Sequence, residues 1–166
     1  MTVTERHQLD NIDLRILSEL QKDGRIRINE LALRVGITAP PCLRRVRSLR
    51  SRGVIQAIRA TLDERLLGYE VTTFVLIQLE SQNLAAIEAF EAAVIAVPRF
   101  LQCWRISGDA DFMLRCVAPD VDDMRRQLLQ FTTLPNVRKI RSYPVLGVSK
   151  DAALPIPGHL AAPAAT

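Results

Sequence analysis

The chain has 166 residues, 48% hydrophobic and 24% charged, a composition typical of one globular domain or two small ones. No run approaches the roughly 20 apolar residues of a membrane span, and the polar N-terminus MTVTERHQLDNID is unlike a secretory signal, so we expect a cytoplasmic protein with no membrane partner. Residues 1–60 hold 12 Lys/Arg against 6 Asp/Glu, whereas residues 61–166 hold 10 against 12, and this asymmetry predicts a basic first module that faces a polyanion.

The first module begins with two short predicted helices. Asp10, followed three residues later by Asp13, is typical of a capping box that begins a helix, and Gly24 is expected to end it. A second helix is predicted over about 28–35, with Gly36 as a left-handed residue after its end.

A third predicted helix, about 39–52, has one apolar and one basic side. Thr38 is a candidate N-cap, and Pro40 and Pro41 are tolerated because first-turn N–H groups have no partner within a helix. Those prolines leave the Thr38 hydroxyl available for a phosphate, or simply for solvent. The interval between Glu30 and Asp63 contains seven arginines and no acidic residue, which favours a helix-turn-helix that binds DNA.

Position along this helix suggests which side chains read bases. The candidates for base edges are near its N-terminus: Pro40, Pro41, Arg44 and Arg45. The candidates for the DNA backbone are Thr38, Arg47, Ser48 and Arg52, whereas Cys42 is expected in the core. Beyond Gly53, residues 54–58 alternate in polarity and predict a strand that begins a wing.

The second module predicts the order βαββαβ. A strand over 71–79 is followed by a helix from Leu84, strands over 100–107 and 112–118 joined by a Gly-Asp-Ala-Asp turn, a helix over 121–131 and a strand over 137–148. This order indicates a ferredoxin-like (ACT-like) domain, so the chain is assigned to the α+β class. Pro144 cannot donate to a ladder and places the last strand at a sheet edge or a bulge.

These patterns predict four segments. They are a DNA-binding domain over 1–53, a wing strand and linker over 54–69, a sensing domain over 70–150 and an Ala/Pro-rich tail over 151–166. The tail is expected to be disordered or loosely attached.

Enzymatic readings find little support. The two histidines, His7 and His159, lie near the termini, and no P-loop or dinucleotide fingerprint is present. Asp109 and Asp111 alone would provide few ligands for a divalent cation. The favoured alternative is that the two aspartates cap backbone N–H groups of the turn. We therefore expect no catalytic residues, no metal and no cofactor. Three scattered cysteines, at positions 42, 103 and 116, fit reduced core thiols.

Several segments together resemble the Lrp/AsnC ("feast/famine") family of regulators. They are LDNIDLRILSELQKDGR, ELALRVGIT, PPCLRRVRSLRSRGVI, the GDADF turn after Ser107, and LPNV leading to Ser142 and Tyr143. The resemblance covers about residues 8–150. It implies a winged helix-turn-helix joined through the wing strand, about 54–62, to a sensing domain that dimerises. In the family, such dimers often assemble further into tetramers, octamers or larger rings.

The resemblance also implies an amino-acid effector site between such domains. The residues it points to are Ser107, Gly108, Asp109, Ala110, Asp111 and Ser142. An aspartate can accept from the ammonium of an amino acid, while backbone N–H groups and the Ser142 hydroxyl can donate to its carboxylate. Three positions depart from the family pattern: Arg27 replaces a common serine N-cap, Ser142 replaces threonine, and Pro144 replaces an ordinary strand residue.

The sequence thus predicts a transcriptional regulator that binds double-stranded DNA and responds to an amino-acid-like effector. One alternative is an architectural DNA-binding protein whose second domain only oligomerises. Another is an amino-acid-binding regulator of enzymes without a DNA role, which would leave the arginine-rich helix unexplained.

Overall fold

In the computed structural model, which describes residues 9–134 and 136–157, the chain divides into two units. One comprises the residues up to Thr61 together with those from Lys150 onward, and the other is Leu62–Ser149. The predicted histidines, His7 and His159, lie outside the described residues. None of the helices within the described ranges is long and apolar enough to cross a membrane.

The first unit contains three helices, α1 (Asn11–Lys22), α2 (Ile28–Val35) and α3 (Ala39–Ser51). The predicted capping box is present: Asp10 Oδ1 accepts from the Asp13 N–H at 2.8 Å, and Asp13 Oδ2 accepts from the Asp10 N–H at 3.4 Å. Gly36 ends α2 at a φ of 77°, in the left-handed conformation that the sequence predicted. The three helices enclose a core of buried side chains: Ile16, Ile26, Leu31, Ala32, Val35, Cys42, Val46 and Leu49.

The second unit is a four-stranded antiparallel sheet with two helices on one face. Its elements are β1 (Val71–Leu79), α4 (Leu84–Ile95), β2 (Phe100–Arg105), β3 (Phe112–Ala118), α5 (Val121–Phe131) and β4 (Val137–Pro144). The strand order is β2-β3-β1-β4, so Pro144 lies on an edge strand, as expected. Val75, Ile77 and Leu114 pack with the buried residues of both helices, including Phe90 and Phe131.

The opposite face of this sheet carries no helix within the described residues. Phe74 and Leu76 alternate with the buried residues of β1, and their cross-strand neighbours share that open face. Those neighbours are Met113 and Arg115 on β3, Arg141 and Tyr143 on β4, and Trp104 opposite Met113 on β2. Trp104 and Tyr143 are 38% and 49% exposed. The second unit therefore presents a partly apolar sheet surface.

A turn at the start of the second unit is held on the sheet by Glu64. Its Oε2 accepts from the Thr72 hydroxyl at 3.1 Å, and its Oε1 accepts from the guanidinium of Arg115. The segment entering β1 is thereby fixed to the first and third strands.

The predicted strand over 54–58 is wrong. Val54 and Ile55 donate to the carbonyl of Leu49, and none of the backbone hydrogen bonds among the described residues involves 56–61. A strand requires a paired neighbour, but this segment instead packs side chains on the helices. A Cβ added to Gly24 would meet Ile58 Cγ2 at 2.7 Å, which shows how closely the segment approaches the turn after α1.

Three other expectations need adjustment. β2 ends at Arg105 rather than at residue 107. β4 ends at Pro144 rather than at residue 148, because the last residue pair between β4 and β1 is Pro144 with Thr73. Beyond that pair, only the Val145 N–H donates to β1, at the carbonyl oxygen of Thr72. Cys42 and Cys116 are core thiols as expected, whereas Cys103 is exposed on β2. The tail residues 151–157 belong to the first unit and form no helix or strand, and Leu154–Pro157 lie beside α1 and residues 54–58. Residues 158–166 lie outside the described ones.

Candidate DNA-binding surface and effector cavity

The third helix, α3, separates its apolar and polar side chains cleanly. Cys42, Val46 and Leu49 are buried against α1 and α2, which fixes the rotation of the helix. The remaining side therefore faces solvent. Its exposed predicted residues are Thr38, Pro40, Arg44, Arg47 and Ser48, while Pro41 and Arg52 are half-buried.

This exposed side is strongly basic. At 100° per residue, Pro40, Arg44 and Ser48 lie within about 80° of one another, with Arg47 beside them. In the part of the chain that the structure describes, none of the salt bridges involves Arg44, Arg47 or Arg52. Guanidinium groups without an internal carboxylate are available to an external anion.

Arg45 differs from its neighbour Arg44, although the sequence placed both at base edges. Arg45 Nη1 donates to Asp10 Oδ2 at 2.7 Å and to Asp13 Oδ1 at 2.8 Å. These two bonds raise the pKa of the Arg45 guanidinium, with the bond to Asp13 the larger cause. The structure thus gives Arg45 a role in joining α3 to the start of α1, which its position in the arginine run did not indicate.

Thr38 is the N-cap of α3, and its side chain makes no capping hydrogen bond. Pro40 and Pro41 follow in the first turn and lack the N–H groups that such a hydroxyl would accept from. The Thr38 hydroxyl is exposed at the end of the helix where the helix dipole favours an anion. The phosphate contact that the sequence suggested for Thr38 stays a prediction.

The second unit has a cavity of about 270 Å³ at the loop between β2 and β3. Four of the predicted effector residues line it: Ser107, Gly108, Ala110 and Asp111. The sequence did not indicate the other lining residues, Gln82, Ile87, Arg105, Ile106 and Phe112. Only Arg105 among these carries a charge, and its place two residues before Ser107 was the signal that could have identified it.

Asp111 is already engaged by the fold. Its Oδ2 accepts from the Leu79 N–H at 2.7 Å, and its Oδ1 accepts from Gln82 Nε2 at 2.7 Å. Each carboxylate oxygen has a second lone pair, so Asp111 can still accept from a ligand in the cavity. Its primary role is to tie the loop to the end of β1.

The two remaining predicted residues lie elsewhere. Asp109 lines a separate small cleft with Lys139 and Arg141 on β4. Ser142 pairs with Val75 across the β1–β4 ladder and is exposed at the sheet edge, away from the lining of the 270 Å³ cavity. The described part of one chain therefore does not bring these two side chains to the cavity.

Residues suited to metal binding do not converge. Within residues 9–134 and 136–157 there is no group of three or more His, Cys, Asp or Glu that could hold an ion. Asp109 and Asp111 line different cavities, so the turn supplies no pair of ligands.

Comparison with known proteins places both regions in context. A winged helix-turn-helix DNA-binding model matches residues 9–56, and an Lrp/AsnC ligand binding domain model matches residues 72–154. The leucine-responsive regulatory protein of Rhizobium meliloti is 43% identical over 148 residues, covering 89% of this chain and 95% of that protein.

Two solved structures are also similar over the length of the chain. A Neisseria meningitidis transcriptional regulator in complex with L-methionine superimposes with a TM-score of 0.85 at 28% identity, over 90% of this chain and 98% of the other. A feast or famine regulatory protein of Mycobacterium tuberculosis, complexed with L-methionine, gives 0.80 at 29% identity, over 90% and 100%.

Proposed function

Because this chain belongs to the Lrp/AsnC family of DNA-binding transcriptional regulators, we propose that the exposed side of α3 reads specific sequences in duplex DNA and that an amino acid modulates this binding. DNA binding is assigned to residues 1–53 and effector binding to residues 70–150, with 54–69 between them. The observation that carries the proposal is the exposed basic side of α3, which is fixed by a buried opposite side. Among the described residues, Arg44, Arg47 and Arg52 form none of the salt bridges, whereas Arg45 at the edge of this side is paired with Asp10 and Asp13.

On this surface Arg44 is the main candidate for a base edge. It is exposed in the first half of the helix beside Pro40, and a guanidinium can donate two hydrogen bonds to guanine. Arg47, Ser48 and Arg52 are assigned to the DNA backbone, with the Thr38 hydroxyl at the helix end. Pro40 and Pro41 supply apolar contacts, and Arg45 acts by holding α3 on α1.

Salt-dependent DNA binding tests this part of the proposal. Arg44→Ala should weaken binding to a specific site by about 1–3 kcal/mol, roughly 5- to 150-fold, and relax sequence preference. Arg47→Ala should weaken specific and non-specific binding alike and lower the slope of affinity against salt by about one per head. Glu88→Ala is the matched control, because this exposed charge lies on α4 of the other unit. Unchanged affinity in Arg44→Ala would remove α3 as the reading helix.

The cavity beside the β2–β3 loop is proposed as the effector site. Its 270 Å³ suits a small zwitterion, and the two related structures named above hold L-methionine. Arg105 and the Gly108 N–H can donate to the ligand carboxylate, while a free lone pair of Asp111 can accept from its ammonium. Asp109 and Ser142, which lie outside this cavity, would contribute only if a second copy of the chain brings them to it.

Calorimetric titration with L-methionine and L-leucine tests the effector site. Arg105→Ala should weaken binding at least tenfold, because the carboxylate loses its charged donor. Arg99→Ala provides a matched control: Arg99 is also an exposed arginine next to β2, but it pairs with Asp123 away from the cavity. If no amino acid binds and DNA binding is intact, the chain is an architectural protein rather than a sensor.

Self-association is proposed through the open face of the sheet. Trp104, Tyr143 and Phe74 form an apolar surface there, and apolar faces of this kind are usually covered by a partner. Trp104→Glu should shift light-scattering mass toward the monomer, whereas the exposed Leu129→Glu on the helical face should not. Equal masses for both variants would contradict this assignment.

A further inference from the structure

An apolar groove of about 450 Å³ lies in the DNA-binding unit, away from α3. Leu14, Leu17 and Leu20 of α1 form one wall, and residues 54–58 form another. The third wall is the segment Leu154–Pro157, far along the chain. None of the residues that line the groove belongs to α3, so the segment Leu154–Pro157 in this position leaves the basic side of α3 uncovered.

The segment is attached by a polar and an apolar contact. Gln21 Nε2 donates to the carbonyl oxygen of Leu154 at 3.0 Å, across 133 positions of sequence. Ile156 is half-buried in the groove, whereas the Leu154 side chain is 77% exposed. Ile156 is therefore the apolar anchor, and the Leu154 backbone supplies the hydrogen bond.

The composition of the segment suits this position. Pro155 and Pro157 have fixed φ angles, so the chain between them loses little conformational freedom when it docks. They also lack N–H groups, so an extended backbone can lie on apolar side chains with fewer unsatisfied donors.

We propose that residues 150–157 form a strap that docks on the groove of α1 and residues 54–58 in the same chain. The strap covers the apolar side chains of α1 and of residues 54–58 that line the groove. The strap is independent of whether an amino acid binds the cavity of the second unit.

Hydrogen exchange in the full chain tests the docking. Ile156→Asp places a charge in the groove, so the hydrogen-bonded amides of residues 14–21 and of Val54 and Ile55 should exchange at least about threefold faster as this surface opens. Ala153→Asp adds the same charge at an exposed position that does not line the groove, and it should leave those rates unchanged. Equal exchange in wild type and Ile156→Asp, or equal acceleration by both variants, would overturn the strap.

Crosslinking establishes which chain supplies the segment. Gln21→Cys and Leu154→Cys, combined with Cys103→Ser to remove the exposed native thiol, should be joined within one chain by a short bismaleimide. The product should migrate as a monomer on a denaturing gel, and Arg44→Cys with Leu154→Cys in the same background sets the non-specific level. A covalent dimer would assign the docked segment to a second copy, and crosslinking no higher than that level would show that it does not dock; either result refutes the proposal.

Discussion

Replacing Arg45 with alanine should lower the free energy of unfolding of the DNA-binding unit, because the Arg45 side chain joins α3 to the start of α1. Its Nη1 donates to Asp10 and Asp13 at 2.7 and 2.8 Å. The Asp10 side chain is 51% exposed, whereas that of Asp13 is only 9% exposed. The bond to the buried Asp13 should therefore contribute more to stability than the bond to the exposed Asp10.

The expected loss follows from that difference in exposure. An exposed ion pair such as Arg45 with Asp10 contributes about 0–1 kcal/mol. Without Arg45, the buried Asp13 carboxylate would still accept a hydrogen bond from the Asp10 N–H at 3.4 Å but would lose its charged donor. The loss of a charged donor to a buried carboxylate costs about 1–3 kcal/mol in the free energy of unfolding. The total is roughly 1–4 kcal/mol, which corresponds to a fall in Tm of about 4–30 °C for a unit of this size.

Thermal and urea unfolding of the full chain measure this loss, with Arg44→Ala as the matched control. Arg44 precedes Arg45 on the same helix but is exposed, so its replacement should change stability by less than about 0.5 kcal/mol. DNA binding at a temperature where both variants are folded should show the reverse order, with Arg44→Ala the weaker binder. Equal stability of the two variants would refute the structural role of Arg45.

Three further predictions concern charge and titration. The Asp13 N–H, and after it Arg45, lower the pKa of Asp10 below its usual 3.8. The contribution of Asp10 to the free energy of unfolding is therefore present above about pH 4 and is lost as the pH falls through the lowered pKa. In urea unfolding between pH 6 and pH 3, Asp10→Asn should make the free energy of unfolding depend less on pH. Asp111→Ala should cost about 1–3 kcal/mol in unfolding because the Leu79 N–H loses its acceptor, whereas Asp109→Ala should cost less than about 0.5; equal losses would contradict the distinction. Desolvation, with Glu91 nearby, raises the pKa of the Cys103 thiol from 9.0 to about 11. The smaller thiolate fraction, partly offset by the greater nucleophilicity of a more basic thiolate, should make iodoacetamide at pH 8 modify it on the order of 10-fold more slowly than a thiol of ordinary pKa; rapid labelling would show an unperturbed thiol.

The elements that sequence predicted well are those with local causes. The capping box of α1 depends on residues three positions apart, and Gly36 ends α2 through its own backbone conformation. The β-branched and aromatic residues of β1 predict a strand, and Pro144 marks an edge because it lacks a donor. Each of these signals acts within a few residues.

The errors arise where the outcome depends on distant residues. Residues 54–58 alternate as a strand would, but they pack against the turn at Gly24 and have no partner strand among the residues that the structure describes. Arg45 could not be distinguished from Arg44 without knowing that Asp10 and Asp13 lie beside it. Periodicity gives the face of a helix, whereas the partner across the fold determines what each side chain does.

The same reasoning applies to the effector site. The Gly-Asp-Ala-Asp turn located the loop beside the cavity, and the sequence proposed both aspartates as ligands. A backbone hydrogen bond separates the two aspartates: the Asp111 N–H donates to the carbonyl oxygen of Ile77, which holds Asp111 against β1. Asp109 instead lines the small cleft that contains Lys139 of β4. Arg105 lines the cavity because β2 ends there, a boundary that the composition of the strand did not reveal.

Footprinting on the DNA upstream of the protein's own gene tests the central claim most directly. The wild-type chain and Arg44→Ala are compared at several salt concentrations, with and without a panel of amino acids. The account predicts a salt-sensitive, sequence-specific footprint that Arg44→Ala loses and that at least one amino acid changes. No specific footprint on any tested DNA, or one that Arg44→Ala leaves intact, would contradict it.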